Sequence, residues 1–459
     1  MSRKFSIDGG DPALLKKISS SSGYGDPEVL VGLDLGTTKT TVVVAEREGP
    51  SGEAQIIGVG YAPSNGIRKG LIVHLDQAVR SVKQAVSDAE NMVGMELSEV
   101  TVSFSCGEIR SIRSRGMISL GRAPRPVMQL DIERVIEAAQ ANVSVPTNQM
   151  MLHTIPVEYS LDGNSGIDDP LGMTGMRLDI ELGTVIVPSA TVQNVFNCVE
   201  RAGLTVTGFV IKPLASALGA LTPEESSAGA VSVDIGGGTC AIAIFSEGRP
   251  KHLAVIPVGG DHITNDVASV LKIPINKAEE LKKTIDLFSD EVEGSGERLE
   301  FEHMGRRYLY SSEELTEIVR CRIEELFASL VRDEIENAGV PMLPAGLVLT
   351  GGVATSRGID QYLSRVMDMP VRISMPLDAN RMPPNRNGAE YSCSAGIIRY
   401  VLEQERDPFR YLEQPVDVLK PMVPKPQVVG DHHKIETVGS KDKKGSFFQT
   451  VRDVLKELF

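Results

Sequence analysis

The sequence predicts an α/β protein built as two similar halves facing one another. Three observations predict it. Apolar strand-like runs alternate with segments of helical period along most of the chain. One short pattern occurs twice, about 200 residues apart. The length of 459 residues leaves room for roughly three compact units.

The elements follow in order. Residues 1–28 carry scattered charges, Gly9-Gly10 and the run Ser19 to Ser22, and read as a flexible tail with at most a short helix over 13–18. The spacing then predicts strands over 29–35 and 40–46 joined by a tight Gly-Thr turn, a helix over 75–93 and a strand over 100–105. A helix over 129–141 and an extended run over 149–161 follow. Residues 164–175, rich in Gly, Asp and Met, read as a loop. Next come a strand over 178–188, a helix over 191–202, a strand over 206–211 and a helix over 214–221. A second strand, turn and strand occupies 231–245, and long helices are expected near 277–288 and 313–338. Residues 413–445 hold Pro415, Pro421, Pro424 and Pro426, many charges and few large apolar groups. They read as a flexible linker, since such a stretch buries too little surface to fold.

Composition narrows the function classes. The chain is 41% hydrophobic and 24% charged, ordinary for a globular protein. A net charge of −14 argues against a general nucleic-acid binder, which needs a basic face. Cys106, Cys198, Cys240, Cys321 and Cys393 are odd in number and far apart, which predicts reduced thiols in a cytoplasmic protein. No apolar run is long enough to span a bilayer, and no signal-peptide core follows Arg3 and Lys4. His432-His433 reads as chance rather than a metal site.

The repeated pattern carries the chemistry. Its first copy is Val31-Gly-Leu-Asp34-Leu-Gly36-Thr37-Thr38-Lys39, and its second is Val231-Ser-Val-Asp234-Ile-Gly236-Gly237-Gly238-Thr239. A hairpin turn rich in glycine lets backbone N–H groups converge on a phosphate without a side chain in the way. Two such turns can grip a polyphosphate from both sides, with Lys39 adding a point charge. Asp34 and Asp234, at the strand ends, suit a hydrated Mg2+. One such turn alone would more often be an ordinary hairpin. A third glycine turn, Gly351-Gly352-Val353, follows an apolar strand and suits a flat base. Glu279 and Lys282 share a helix face at i, i+3 and reach a ribose and base, or else form a solvated ion pair.

Taken together these motifs resemble the actin-like ATPase superfamily and, within it, the bacterial FtsA family of cell-division proteins. Asp34–Lys39 is similar to the first phosphate motif, 234–240 to the second, and 349–354 to the adenosine motif. Ile256 to Asp266, with Gly259-Gly260, resembles the segment after the second phosphate loop. Ala278-Glu279 with Lys282 resembles the ribose and base contact, and Lys212-Pro213-Leu-Ala-Ser216 the connecting helix. The resemblance covers about residues 29–400 and the extreme C-terminus. It implies an actin-like (ribonuclease H-like duplicated) fold, with halves 29–228 and 229–400 and small subdomains near 112–187 (1C) and 268–341. The chain then continues through 401–445 to the terminal segment. It also implies ATP and Mg2+ as ligands, at most a weak ATPase, self-association into polymers, contact with later division proteins, and FtsZ binding through 268–341. Two departures stand out. Val353 replaces a glycine common in relatives, and Lys212 stands where chaperone relatives carry a water-orienting glutamate, so rapid hydrolysis is not expected.

The last fifteen residues, GSFFQTVRDVLKELF, are a different object. Phe447, Phe448, Val451, Val454, Leu455, Leu458 and Phe459 form one stripe of a 3.6-residue helix, with Gln449, Arg452, Asp453, Lys456 and Glu457 opposite. Ser446 suits the N-cap. Fourteen residues give roughly 21 Å, too short to cross a bilayer and suited to lie in its surface. Residues 432–459 hold six Lys and Arg against four Asp and Glu, so this end is locally basic. The expectation is a peripheral protein at the cytoplasmic face of the membrane, at the division site. Docking of the helix on the protein itself is the other reading. A PilM-like pilus scaffold and a small-molecule kinase of the same superfamily remain alternatives.

Overall fold

A computed structural model describes residues 28–49, 52–288, 298–303, 306–413 and 416–419. The chain divides into a unit ending at Leu419 and a unit Lys420–Phe459. The second unit lies outside the described residues. So do residues 1–27 of the tail expected over 1–28, whose last residue, Glu28, begins a strand, and most of the linker, His432-His433 and the terminal helix.

Two five-stranded sheets share one plan. In the first, Glu28–Leu35, Lys39–Arg47 and Gln55–Pro63 form an antiparallel meander, and Glu99–Phe104 then Thr205–Ile211 add in parallel on the other side of Glu28–Leu35. In the second, Ala230–Ile235, Cys240–Ser246 and Arg249–Ile256 form the meander, and Leu347–Thr350 then Val371–Ile373 add in parallel. The registers match as well. Asp34 faces Thr41 and Ser103, and Asp234 faces Ala241 and Thr350. The central strands are covered on both faces and therefore read as continuous apolar runs.

Helices Lys212–Ala220 and Ser392–Arg406 cross between the sheets. They approach so closely that a Cβ on Gly219 would lie 1.9 Å from the Ser392 carbonyl, and one on Gly396 1.8 Å from that of Ala215. Only glycine permits that contact. One apolar cluster fills the first half and runs on to Ala243, Phe245, Leu253 and Val348 of the second, and another fills the rest of the second half.

The inserted subdomain contributes four antiparallel strands, ordered Asn164–Ile167, Gln149–Leu161, Arg177–Pro188, Arg110–Ser119, to a five-stranded sheet whose fifth strand is Leu412–Glu413. Helix Gln129–Gln140 lies on one face, its backbone against Gly116. Its core gathers Val135, Ile136, Tyr159, Leu178 and Leu182.

The structure differs from the sequence expectation at four places. Gln55–Pro63 is a strand that its two glycines and terminal proline concealed. Those glycines are required by packing, since a Cβ on Gly60 would meet the Ala85 carbonyl of helix Leu75–Val93 at 2.1 Å. Segment 164–175 holds two short strands, Asn164–Ile167 and Thr174–Gly175, rather than a plain loop. The helix expected near 277–288 is Ile275–Lys282, and the chain then turns so that Asp286 bridges to Arg357. Packed structure also continues past 413. Leu412–Glu413 pairs with Thr154 and His153 of the inserted sheet, and Tyr411 and Leu419 are buried.

Candidate functional site

Each meander begins with the hairpin that the sequence repeat marks. The Gly36 amide donates to the Lys39 carbonyl at 3.1 Å, and that of Gly236 to the Thr239 carbonyl at 2.9 Å, which closes the two turns in the same way. The amides of Thr37, Thr38, Gly237 and Gly238 find no acceptor among the described residues. The two turns face each other directly. A Cβ on Gly237 would lie 2.0 Å from Thr38 Oγ1, and one on Gly238 2.7 Å from Thr37 Oγ1. Thr239 Oγ1 accepts from Ser105 at 3.2 Å, and Thr37 Oγ1 accepts from the Gly70 amide at 3.2 Å. Residues 36–39 and 236–239 thus meet in one place.

Lys39 leaves the first hairpin and buries its ammonium. Nζ has no hydrogen-bond partner among the described residues and lies 3.6 Å from the centre of the Tyr391 ring. Burial lowers its pKa to about 8 against the pull of Glu390, Asp34 and Asp234, with Lys212 pushing the same way as burial. An unsatisfied buried ammonium on the residue that closes a turn with free backbone amides is chemically suited to an anion.

The strand-end carboxylates are already engaged. Lys212 Nζ donates to both Asp34 oxygens at 2.9 Å, and Ser216 Oγ donates to Asp234 Oδ2 at 2.6 Å. Asp34 is 2% and Asp234 5% exposed. Burial works to lower the Lys212 pKa, but the charge of Asp34 reverses this and holds the lysine cationic. No group of three or more His, Cys, Asp and Glu converges among the described residues. Asp34 is thus already paired with a cation, whereas Asp234 meets a neutral hydroxyl. Asp234 retains Oδ1 beside Gly351, where a Cβ would stand 2.6 Å from it.

On the far side, the amides of Gly260 and Asp261 donate to the carbonyls of Gly236 and Gly237 at 2.9 and 2.8 Å. This ties helix Gly260–Leu271 to the second hairpin. Lys282 Nζ donates to Glu279 at 2.5 Å, to Thr264 Oγ1 at 2.8 Å and to the Gly260 carbonyl at 3.2 Å. The pair is thus tied into the cleft wall rather than solvated. Burial raises the Glu279 pKa, and the bonds from Lys282 and Thr264 more than offset it. A Cβ on Gly260 would touch Val353 at 2.9 Å and approach Lys282 Nζ at 3.5 Å. Glu279, Lys282 and Val353 therefore share one wall. Gly351 turns with φ of +88°, which glycine adopts at no cost, and Gly352 opens onto free space.

Sequence reasoning did not assign Tyr391, Ser105 or Thr264 to the site. Thr264 lies inside the Ile256 to Asp266 segment, which was a usable signal. Nothing local marks Tyr391, which reaches Lys39 from about 350 residues away. Phe447, Phe448, Val451, Val454, Leu455, Leu458 and Phe459 lie outside the described residues.

Among solved structures, the chain is similar to a PilM–PilN type IV pilus biogenesis complex, with TM-score 0.56 and 16% identity, over 81% of this chain and 98% of that one. It is also similar to MreB 5 of Spiroplasma citri bound to AMPPNP, with TM-score 0.51 and 17% identity, over 84% and 99%. These likenesses give the fold, which is actin-like. The family model for the cell division protein FtsA matches residues 231–396, and that for the SHS2 domain inserted in FtsA matches 106–186. The cell division protein FtsA of Pseudomonas aeruginosa is 37% identical over 383 residues, 83% of this chain and 91% of that protein. That of Bacillus subtilis is 35% identical over 382 residues, 83% and 84%. That of Escherichia coli is 34% identical over 385 residues, 82% and 90%. With the two facing hairpins and the inserted subdomain in place, the chain belongs to the FtsA family of bacterial cell-division proteins.

Proposed function

We propose that the chain is an ATP-binding tether that assembles at the division site and holds the FtsZ ring to the cytoplasmic membrane, recruiting later division proteins. The observation that carries the nucleotide part is the buried, unpartnered ammonium of Lys39, the residue whose carbonyl closes the first of two opposed glycine turns. In this reading the amides of Thr37, Thr38, Gly237 and Gly238 hold phosphate oxygens, with Gly36, Gly236 and Thr239 shaping the turns. Lys39 supplies charge. Glu279, Lys282 and residues Gly351 to Val353 flank the nucleoside. Asp234 would hold a hydrated magnesium ion, which would offset charge on the phosphates.

The membrane part rests on the apolar stripe of 447–459 and the lysines before it. One such helix binds weakly, and polymerisation of the nucleotide-bound body multiplies the grip. Liposome co-sedimentation tests the whole reading, with ATP and FtsZ present, comparing the full chain with one ending at Lys444. The full chain should pellet and carry FtsZ with it, while the shortened chain stays in the supernatant. Equal behaviour of the two removes the terminal helix as anchor. Pelleting of the full chain without FtsZ removes the tether.

A further inference from the structure

The cleft contains a cation of its own. Lys212 opens helix Lys212–Ala220 at 8% exposure and spans both oxygens of Asp34. Four residues on, Ser216 holds Asp234. One helical turn, rising about 5.4 Å, thus reaches the strand-end carboxylate of each half. A buried carboxylate requires a counter-charge. In a polyphosphate site a hydrated divalent ion often supplies it. At Asp34 a covalently attached ammonium supplies it instead. It lacks the divalent ion's second charge, but it needs no recruitment from solvent. A divalent ion brought to the same carboxylate would stand against Lys212, with Lys39 close enough to add to the repulsion.

We propose that Lys212 is the resident counter-ion of the phosphate cleft, standing at Asp34 in place of a divalent cation, so that this chain binds nucleoside triphosphate with little dependence on divalent metal. The proposal rests on the nucleotide reading above. It sets this chain apart from an actin-like site in which the first aspartate serves the metal.

The test is equilibrium binding of ATP to the full chain in excess Mg2+ and in excess EDTA. Three proteins are compared: wild type, Lys212→Gln, and Lys212→Gln with Asp34→Asn. Chelation should weaken the wild type by less than about threefold. In Lys212→Gln the uncompensated Asp34 recruits metal, and chelation should weaken binding by about tenfold or more. The double variant buries no unpaired charge and should again show the small ratio, whatever its absolute affinity. If Lys212→Gln does not fold, the wild-type and double-variant ratios decide. A wild type that loses about tenfold or more on chelation overturns the proposal, as does a Lys212→Gln ratio equal to that of wild type. Absence of ATP binding by the wild type in both buffers overturns the nucleotide reading itself, and this proposal with it.

Discussion

The ammonium of Lys39 sits 3.6 Å from the centre of the Tyr391 ring, buried and without a hydrogen-bond partner among the described residues. The ring face attracts the cation but offers it no acceptor. The lysine is thus held close to the turns while its donors stay free for an arriving anion.

That arrangement has a pH signature. The Lys39 pKa falls from 10.5 to about 8 through burial. A cation depressed in the folded state costs stability fully below about pH 8 and progressively less as pH rises toward 10.5. Lys39→Met should therefore be more stable than wild type near pH 7 and should flatten the stability slope between pH 8 and 10. Denaturant titrations across that range check both. A phosphate on Lys39 restores its proton, so ATP binding near pH 8 should take up a fraction of a proton. Calorimetry in buffers of different ionisation enthalpy reads this uptake, which should vanish in Lys39→Met.

The facing turns make a second prediction. Gly237→Ala drives a Cβ to 2.0 Å from Thr38 Oγ1 and must displace that side chain from the facing turn. Gly352→Ala meets nothing within 4 Å and has an ordinary helical backbone. The first should lower thermal stability and weaken ATP binding by about tenfold or more. The second should keep wild-type stability, and any loss of ATP affinity in it places the base against that turn. Thermal melts with ATP titrations separate the two.

A third concerns the buried ion pair. Lys212→Met leaves Asp34 buried without its partner and should cost about 3–5 kcal/mol. Adding Asp34→Asn should recover most of that loss. Urea unfolding of both variants measures it.

The segment after helix Ser392–Arg406 gives a fourth. Glu413 accepts from the Tyr400 hydroxyl, from Gln404 at 3.3 Å and from the Phe209 amide at 3.2 Å. This fastens the chain exit to the first half. Tyr400→Phe removes one donor from a partly buried carboxylate and should cost about 1–3 kcal/mol. Proteolysis of the region after Asp407 should speed up in parallel. An unchanged melt would mean the strap is held without the Tyr400 bond, by its other contacts to Glu413 and the pairing of Leu412–Glu413 with the inserted sheet.

Much of this was legible in the chain. The duplicated hairpin predicted the duplicated sheet, because buried parallel strands must be apolar throughout and tight turns must be glycine. The same pattern named residues 34–39 and 234–239, which the fold brings face to face. Strand Gln55–Pro63 was illegible because Gly58 and Gly60 serve a helix packed across them, a tertiary demand with no local signature. The Lys212 to Asp34 pair was half legible: the lysine stood out, but its partner lies 178 residues away. Tyr391 carried no signal, since an aromatic before a helix is ordinary until a cation is found on its face.

Calorimetric titration of ATP into the full chain, beside Lys39→Met, reads directly whether the two hairpins bind phosphate. Saturable binding near one ATP per chain, lost in the variant while its melt is unimpaired, is the expected result. Equal affinity in both proteins, or no binding by the wild type, would contradict the reading of the two hairpins as a phosphate cleft.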